Sequence, residues 1–339
     1  MPASSWNPYR WPPSYFYGTL LALGYGLLFR LLIALGEKYV GKGAVLIVMS
    51  LGFVALVPLV IGTIAVYVPA RHETVPIRRA MMLPALPILL ACAVAAVLAL
   101  EGSICIVLLL PVALLFGALG GLLGLALAQA MRPKPGLVAA VAVLPFFCSF
   151  VESRVQQPTT MHTVENSIVI HAGAATIWQN IQSVPPIAPS ELRPTWAHSI
   201  GFPRPVAAIL SHPGIGGVRT ASFEHGLVFY ETVDDWQPLR QLGFSIKADT
   251  AHIPPTTLDE HVTIGGPYFD VLDGQYRIEP LSDGSIRLHL VSHQRLTTDF
   301  NGYAGLWSDA IMGNLQSSIL QVIQHRCEAP QRNLSAAIH

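Results

Sequence analysis

Residues 300–328, FNGYAGLWSDAIMGNLQSSILQVIQHRCE, decide how the second half of this chain is read. Tyr303, Trp307, Ile311, Leu315, Ile319 and Val322 recur on one side at helical spacing, with Asp309, Gln316, Ser317 and Gln324 opposite. Asp299 is a suitable N-cap, and Pro330 is expected to close the far end. The outer side carries Gln and Ser where a helix lying on lipid carries Lys and Arg, so the stripe needs a protein surface to cover.

The preceding residues supply that surface. From Gly217 the chain alternates apolar and polar residues between short turns, the pattern of antiparallel strands. A three-residue turn at Glu224-His225-Gly226, with Gly226 left-handed, pairs Phe223 with Leu227, Ala221 with Phe229 and Arg219 with Glu231. A third strand covers 240–247. An Asp273-Gly274 turn is expected to pair Val271 with Tyr276, Phe269 with Ile278 and Asp270 with Arg277. For the last hairpin, a two-residue turn would put Arg287 and His289 beside Ile278. A three-residue Ser282-Asp283-Gly284 loop puts Leu288 there and sets Glu279 opposite Arg287, and the hydrophobic pattern selects it. One sheet face then carries Phe223, Phe229, Phe244, Phe269, Tyr276 and Leu288, and the terminal helix, led by Trp307, covers it. Ahead of these strands, 164–172 reads as a strand and 173–184 as a short helix. The Pro-rich run to Pro213 reads as a loop or a second short helix.

The first half is of another kind. Up to residue 151 it holds nine Lys/Arg and three Asp/Glu, a net charge of +6, against −6 for the remainder. Apolar runs at 14–35, 44–67, 82–100, 104–131 and 136–151 read as five membrane spans, with a tight turn at Glu101-Gly102-Ser103. Residues 82–131 cannot form a single crossing, since one helix would reach roughly 75 Å against a hydrocarbon core of about 30 Å. Trp6, Tyr9, Trp11, Tyr15 and Tyr17 form an interfacial belt around the first run, which reads as a retained span. Arg10, Arg71, Arg78, Arg79, Arg132 and Lys134 gather on one side, with Lys38, Lys42 and Arg154 on the other and Arg30 reaching toward it. With five crossings, the positive-inside rule places the protein in the plasma (inner) membrane with its soluble half outside the cytoplasm. Gly117, Gly120, Gly121 and Gly124 allow close helix approach, within the bundle or in a homodimer through Gly117, Gly121 and Gly124. Residues 152–160 read as a linker, 161–328 as the soluble domain and 329–339 as a tail.

The order of elements in the soluble half resembles the START-like helix-grip fold of the SRPBCC superfamily, in its polyketide cyclase/dehydrase-like branch. VENSIVIHAGAATIWQNI at 164–181, GGVRTASFEHGLVFYETV at 216–233 and RLTTDFNGYAGLWSDAIMGNLQSSIL at 295–320 carry the likeness. It covers roughly residues 160–328 and not the membrane half, and it implies an α+β domain whose antiparallel sheet wraps the long terminal helix, joined here to the membrane helical bundle. It also implies an apolar ligand held between sheet and helix, bound by a carrier or sensor or converted by a cyclase or dehydrase.

Arg219 and Glu231 stand out because their register puts both charges on the apolar face, where unpaired charge is costly. Two readings stand side by side: they orient the polar head of an apolar ligand, or they form a structural cross-strand pair. If the domain is an enzyme, Glu231 is its general base and Arg219 stabilises developing negative charge. Ser292 and Gln294 are further polar contacts, and Trp307 completes the candidate ligand set with the aromatic face. A non-catalytic assembly role, with the soluble domain docking a partner, is a further alternative. Eleven of the twelve histidines lie in the soluble half. His289 and His293 are about 13 Å apart on a strand, too far to share a zinc ion, and no metal site is expected. The chain carries no P-loop, dinucleotide fingerprint or HExxH motif, so no cofactor is expected. An acidic soluble half speaks against a nucleic-acid partner.

Overall fold

The computed structural model describes residues 12–40, 50–98, 100, 102–130, 135–152, 154–249 and 264–336. Glu101, His252, His261 and several of the residues counted for sidedness, including Arg10, Lys42, Arg132 and Lys134, lie outside the described residues. The chain divides into two compact units. One comprises Met1–Glu101 with Cys105–Gln157, the other Pro158–His339 with Gly102–Ile104.

The first unit is helical. Helix α1 is Pro13–Val40, and a π-helical turn at Gly52–Leu56 runs into α2, Val57–Ala70. Then follow α3 (Ile77–Met82), α4 (Ala85–Val97), α5 (Ser103–Ala130) and α6 (Pro135–Glu152). Four stretches, Pro13–Leu35, Gly52–Ala70, Ile77–Val97 and Ser103–Ala130, are long and apolar enough to cross a membrane. The expected fifth is not among them. Its apolar part, Ala139–Glu152, is short and ends in an acid. The long run does break near Gly102, since α4 ends at Val97 and α5 starts at Ser103.

Phe29, Ile61, Ala65 and Ile88 are buried in one cluster joining α1, α2 and α4. The α5 glycines work inside the bundle. A Cβ at Gly120 would collide with the Leu59 carbonyl, one at Gly121 with Ala80, and one at Gly124 with Thr63, while Gly117 backs onto Ile88 and Gly62. A dimer through Gly117, Gly121 and Gly124 would have to displace these contacts. Arg30, expected to reach toward the side of Lys38 and Lys42, is buried at 7% exposure and donates to the Leu100 carbonyl at 2.6 Å. Helix α6 lies beside α1 in the same sense. The Tyr25 hydroxyl donates to the Ala142 carbonyl at 2.8 Å, and the Phe29 and Phe146 rings are 4.3 Å apart.

The second unit runs strand, two short helices, six strands and long helix, against an expectation of one or two short helices and about six strands. Its elements are β1 (Thr159–Ile170), α7 (Ala174–Gln182), α8 (Trp196–Ser199), β2 (Pro205–Leu210) and β3 (Val218–Phe223). After these come β4 (Val228–Gln237), β5 (Gln241–Asp249), β6 (Phe269–Pro280), β7 (Ile286–Thr297) and α9 (Asn301–Ala336). All seven strands form one antiparallel sheet in the order β1-β7-β6-β5-β4-β3-β2. Two expected registers are found. Arg219 faces Glu231 and Ala221 faces Phe229 across a turn where Gly226 is left-handed, joined there by His225 at φ 60°. Glu279 faces Arg287 and Ile278 faces Leu288 beyond the left-handed Gly284.

The Asp273-Gly274 turn is not found. Both residues lie inside β6, where Val271, Phe269 and Asp270 pair with Gln294, Leu296 and Arg295 of β7. Gly274 is there because Phe244 lies on it: a Cβ would come within 2.6 Å of the ring. Asp273 has a strand role too, accepting from His293 Nδ1 at 2.6 Å. The expected strand count survives because the Pro-rich run hides β2. Its Pro205 opens an edge strand, the place where a sheet tolerates a missing N–H.

The terminal helix starts within one residue of the expected Phe300 and differs from expectation at its far end and around its circumference. It begins at Asn301, whose Oδ1 accepts from the Thr298 N–H and whose Nδ2 donates to the Pro158 carbonyl. It continues past Pro330, since one proline removes a single backbone donor without ending a helix. Two of its sides are buried. Ile311, Ser318 and Val322 lie on the expected stripe, with Val322 packed among Val184, Ala208 and Ala221. About 140° around, at 3.6 residues per turn, Gly305, Asp309, Gly313, Gln316, Leu320 and Ile323 form a second stripe against β1 and β7. Gln316, expected outside, is 2% exposed. Its Nε2 donates to the Val164 carbonyl and to Ser292 Oγ, and its Oε1 accepts from Asn166. The main core lies beneath, with Ile170, Trp178, Leu242, Tyr276, Leu288, Leu320 and Ile323 buried together.

Candidate functional site

The β3–β4 side of the sheet's inner face, next to the β2 edge, holds the two charges that the register argument placed on that face. Strands β3 and β4 present Arg219 and Glu231 directly opposite each other, only 4% and 7% exposed. Arg219 Nη1 donates to Glu231 Oε2. The guanidinium lies 5.5 Å from the centre of the Phe244 ring and 5.8 Å from that of Tyr276, so aromatic faces replace water on its flanks. Burial pushes the Glu231 carboxyl above its ordinary range, opposed by the adjacent Arg219 charge. Burial also raises the Tyr276 hydroxyl. Arg219 Nε has no hydrogen-bond partner among the described residues.

The other expected site residues fall into separate groups. Phe223 and Phe229 meet edge to face at 5.3 Å and pack toward Val322 of α9. Phe244 and Tyr276 are buried, 6.2 Å apart. Phe269 is half-buried opposite Leu296. Leu288 is ordinary core, fully buried with Ile170 and Leu320. Ser292 is engaged by Gln316. Trp307 lies at the helix start, its ring 6.4 Å from both Trp196, tilted, and Tyr303, edge to face.

A polar seam along β1 was not anticipated. Gln294 is fully buried and donates to Asp309 Oδ1 at 2.9 Å, while Asp309 Oδ2 lies 3.1 Å from His162 Nδ1. Gly305 leaves the space that the His162 ring occupies. The signal was present as small and polar residues at 305, 309, 313 and 316, a helical spacing that marks close approach to another backbone. Gln294 Oε1, Ser308 Oγ and Ser318 Oγ are buried without partners among the described residues, as is Arg219 Nε.

The histidines behave as strand and turn residues. His289 and His293 lie on the outer face of β7, and His289 sits between Glu165 at 2.7 Å and Glu279 at 2.8 Å. Among the described residues no three His, Cys, Asp or Glu side chains come together to hold a metal. Burial pushes the Cys327 thiol up to about 11, which leaves it a poor nucleophile.

No protein-family model matches the chain, and no curated protein matches it. Solved structures similar to it include a START superfamily protein from Mycobacterium smegmatis, 14% identical, covering 50% of this chain and 98% of that one, with a TM-score of 0.33. Truncated norcoclaurine synthase from Thalictrum flavum is 12% identical over 50% of this chain and 96% of its own, with a TM-score of 0.31. DynU16, from the dynemicin biosynthetic locus, is 14% identical over 47% of this chain and 46% of its own, with a TM-score of 0.29.

Proposed function

We propose that the second unit binds a hydrophobic small molecule or lipid between its sheet and α9, as a membrane-attached carrier or sensor. The observation that carries this reading is the set of buried polar atoms without partners. Among the described residues of this unit they are Arg219 Nε and Gln294 Oε1 on the sheet, Ser308 Oγ and Ser318 Oγ on α9, and His198 Nε2 on α8. Native interiors satisfy nearly all such atoms, so each calls for water or ligand. Phe244 and Tyr276 flank Arg219 on the inner face, which suits an apolar body with a few polar groups. Attachment to the bilayer follows from the four long apolar helices. Only residues 153–158 separate α6 from β1, a reach of at most about 20 Å.

The test is to purify the full chain, cleave it within 153–158, extract the released soluble half and identify bound species by mass spectrometry. The expected result is one stoichiometric hydrophobic compound, lost in an Arg219→Met/Glu231→Leu variant. Repeated recovery of an empty domain would end this reading.

A second reading, a cyclase or dehydrase, is favoured by one observation: the raised Glu231 carboxyl is closer to the working range of a general base. Incubating the extracted compound with wild-type and Glu231→Gln protein separates the two readings. Unchanged conversion in the variant rules out Glu231 as the base.

We also propose that the soluble half lies outside the cytoplasm. This reading takes the shorter α6 as a fifth crossing beside the four long apolar helices. Helix α6 runs parallel to α1, so the chain leaves the bundle at the end away from Pro13. Arg79 sits 5.9 Å from the Tyr15 ring at the Pro13 end, which is then the cytoplasmic end. A cysteine at exposed Ser167 should react with a membrane-impermeant maleimide in intact spheroplasts. Reaction only after lysis would reverse the assignment.

A further inference from the structure

The polar seam between β1 and α9 contains a chain of hydrogen bonds that ends on a hydroxyl group. Thr160 and His162 are alternate residues of β1 and share its inner face. Thr160 Oγ1 lies 3.3 Å from His162 Nε2, and His162 Nδ1 lies 3.1 Å from Asp309 Oδ2. The other Asp309 oxygen accepts from Gln294 Nε2 at 2.9 Å. A carboxylate only accepts, so the ring hydrogen sits on Nδ1 and Nε2 is left to accept from the threonine hydroxyl. A Cβ at Gly305 would collide with the ring, so the imidazole is packed directly against the helix backbone. Gln294 is fully buried beside it, and its Oε1 has no partner among the described residues. Turning the amide over would not satisfy that oxygen without breaking the bond to Asp309. The chain is also within reach of solvent. The His162 and Asp309 side chains are 23% and 44% exposed, and Thr160 is half-buried on an edge strand.

We propose that Thr160, His162 and Asp309 form a further site, which hydrolyses esters with an apolar acyl group. Hydroxyl, imidazole and carboxylate linked in this order turn a weakly nucleophilic hydroxyl into an attacking group. Thr160 Oγ1 bonds to the ester's carbonyl carbon as its proton passes to His162 Nε2. The ester C–O bond breaks, and the alcohol leaves with that proton. Water then attacks the acyl-threonine and gives a proton to Nε2, and the carboxylic acid leaves as Oγ1 takes the proton back. Asp309 is a positioning residue that fixes the ring's tautomer and orientation, and Gln294 orients Asp309 in turn. The acyl class follows from the neighbours. Leu296 stands opposite Thr160, and Val164 follows His162 on the same face, both buried. The unpartnered Gln294 Oε1 is an acceptor for a hydrogen that substrate or water brings. This site uses neither Arg219 nor Glu231, so its test and that of the carrier reading fail separately.

The experiment uses the full chain in detergent with p-nitrophenyl butyrate. The wild-type protein should release p-nitrophenolate with saturation, and acid quenching in the first turnover should leave a butyryl group on Thr160, mapped by peptide mass spectrometry. Thr160→Val should lose the adduct and about tenfold or more in rate, and Thr160→Ser should restore both. His162→Gln should lose as much as Thr160→Val. Asp309→Asn should lower kcat by about tenfold or more and keep KM within about twofold, because it favours the wrong ring tautomer without removing the binding surface. Wild-type release no faster than that of Thr160→Val overturns the proposal. So does the absence of a butyryl group on Thr160, wherever else acylation is found. An unchanged kcat in Asp309→Asn overturns the three-residue assignment.

Discussion

Replacing Glu231 by Leu strands the Arg219 guanidinium on the inner face, and replacing Arg219 by Met strands the Glu231 carboxyl. The two losses should differ, and differ with pH. A guanidinium cannot shed its proton, so Glu231→Leu is expected to cost about 3–5 kcal/mol at any pH between 5 and 8. A stranded carboxyl can escape by taking up a proton. Its reference value is 4.5 and burial already raises it, so without Arg219 it should be neutral in the folded state. Holding it neutral at pH 7, while the unfolded chain ionises, costs about 3.4 kcal/mol, and at pH 5 only about 0.7 kcal/mol. The sign follows from a folded-state value above the unfolded one: stability is full below 4.5 and is lost as pH rises through the folded value. The Arg219→Met protein should therefore gain about 2–3 kcal/mol between pH 7 and pH 5, beyond any change in wild type. The double variant, with both charges gone and the volume kept, should return to within about 1 kcal/mol of wild type. Urea unfolding of the full chain in detergent, read by tryptophan fluorescence, measures all four proteins. Trp178 and Trp236, 5.1 Å apart in the soluble core, report the relevant unit. A Glu231→Leu cost below about 1 kcal/mol would mean that the guanidinium is solvated, and would refute the desolvated inner face.

Other outcomes follow from single contacts. Gln316→Leu should cost about 1–3 kcal/mol in the same unfolding assay, because it leaves Asn166 and Ser292 short of a partner. Ser317→Ala, one position away, should stay within about 0.5 kcal/mol. Gly274→Ala should cost about 1–3 kcal/mol by pressing on the Phe244 ring, and much less in a Phe244→Leu background. Arg326 Nε and Nη2 grip Glu191 at 2.7 and 2.9 Å and hold its carboxyl down at about 2. That pair should contribute about 1–2 kcal/mol, present above pH 4.5 and lost as pH falls toward 2. Arg326→Leu should flatten this part of the acid unfolding profile.

Much of the architecture is local and could be read directly. Helices long and apolar enough to cross a membrane announce themselves by composition, and the hairpins at Gly226 and Gly284 by a left-handed glycine between alternating runs. Arg219 and Glu231 were placed on the inner face by counting outward from such a turn, since a period of two leaves no choice of face once the register is set. The same logic failed at Asp273-Gly274. A glycine that turns the chain and a glycine that seats an aromatic ring look alike in sequence, and the ring belongs to another strand.

The terminal helix divides the two kinds of knowledge most sharply. Its existence and apolar stripe are written in residues 300–328, because helical periodicity is a property of a few consecutive turns. Sequence periodicity did not reveal that a second stripe of glycine, Asp309 and Gln316 meets β1. Gln316 reads as a solvent residue until Val164 and Ser292, more than a hundred positions or some two dozen positions away, provide its partners. A buried polar group is stable only where its hydrogen bonds are met, and whether they are met depends on strands brought alongside by the whole fold. The length of α6 and the enclosure of Arg30 belong to the same class. Each depends on how separate helices pack, which no short window of the chain contains.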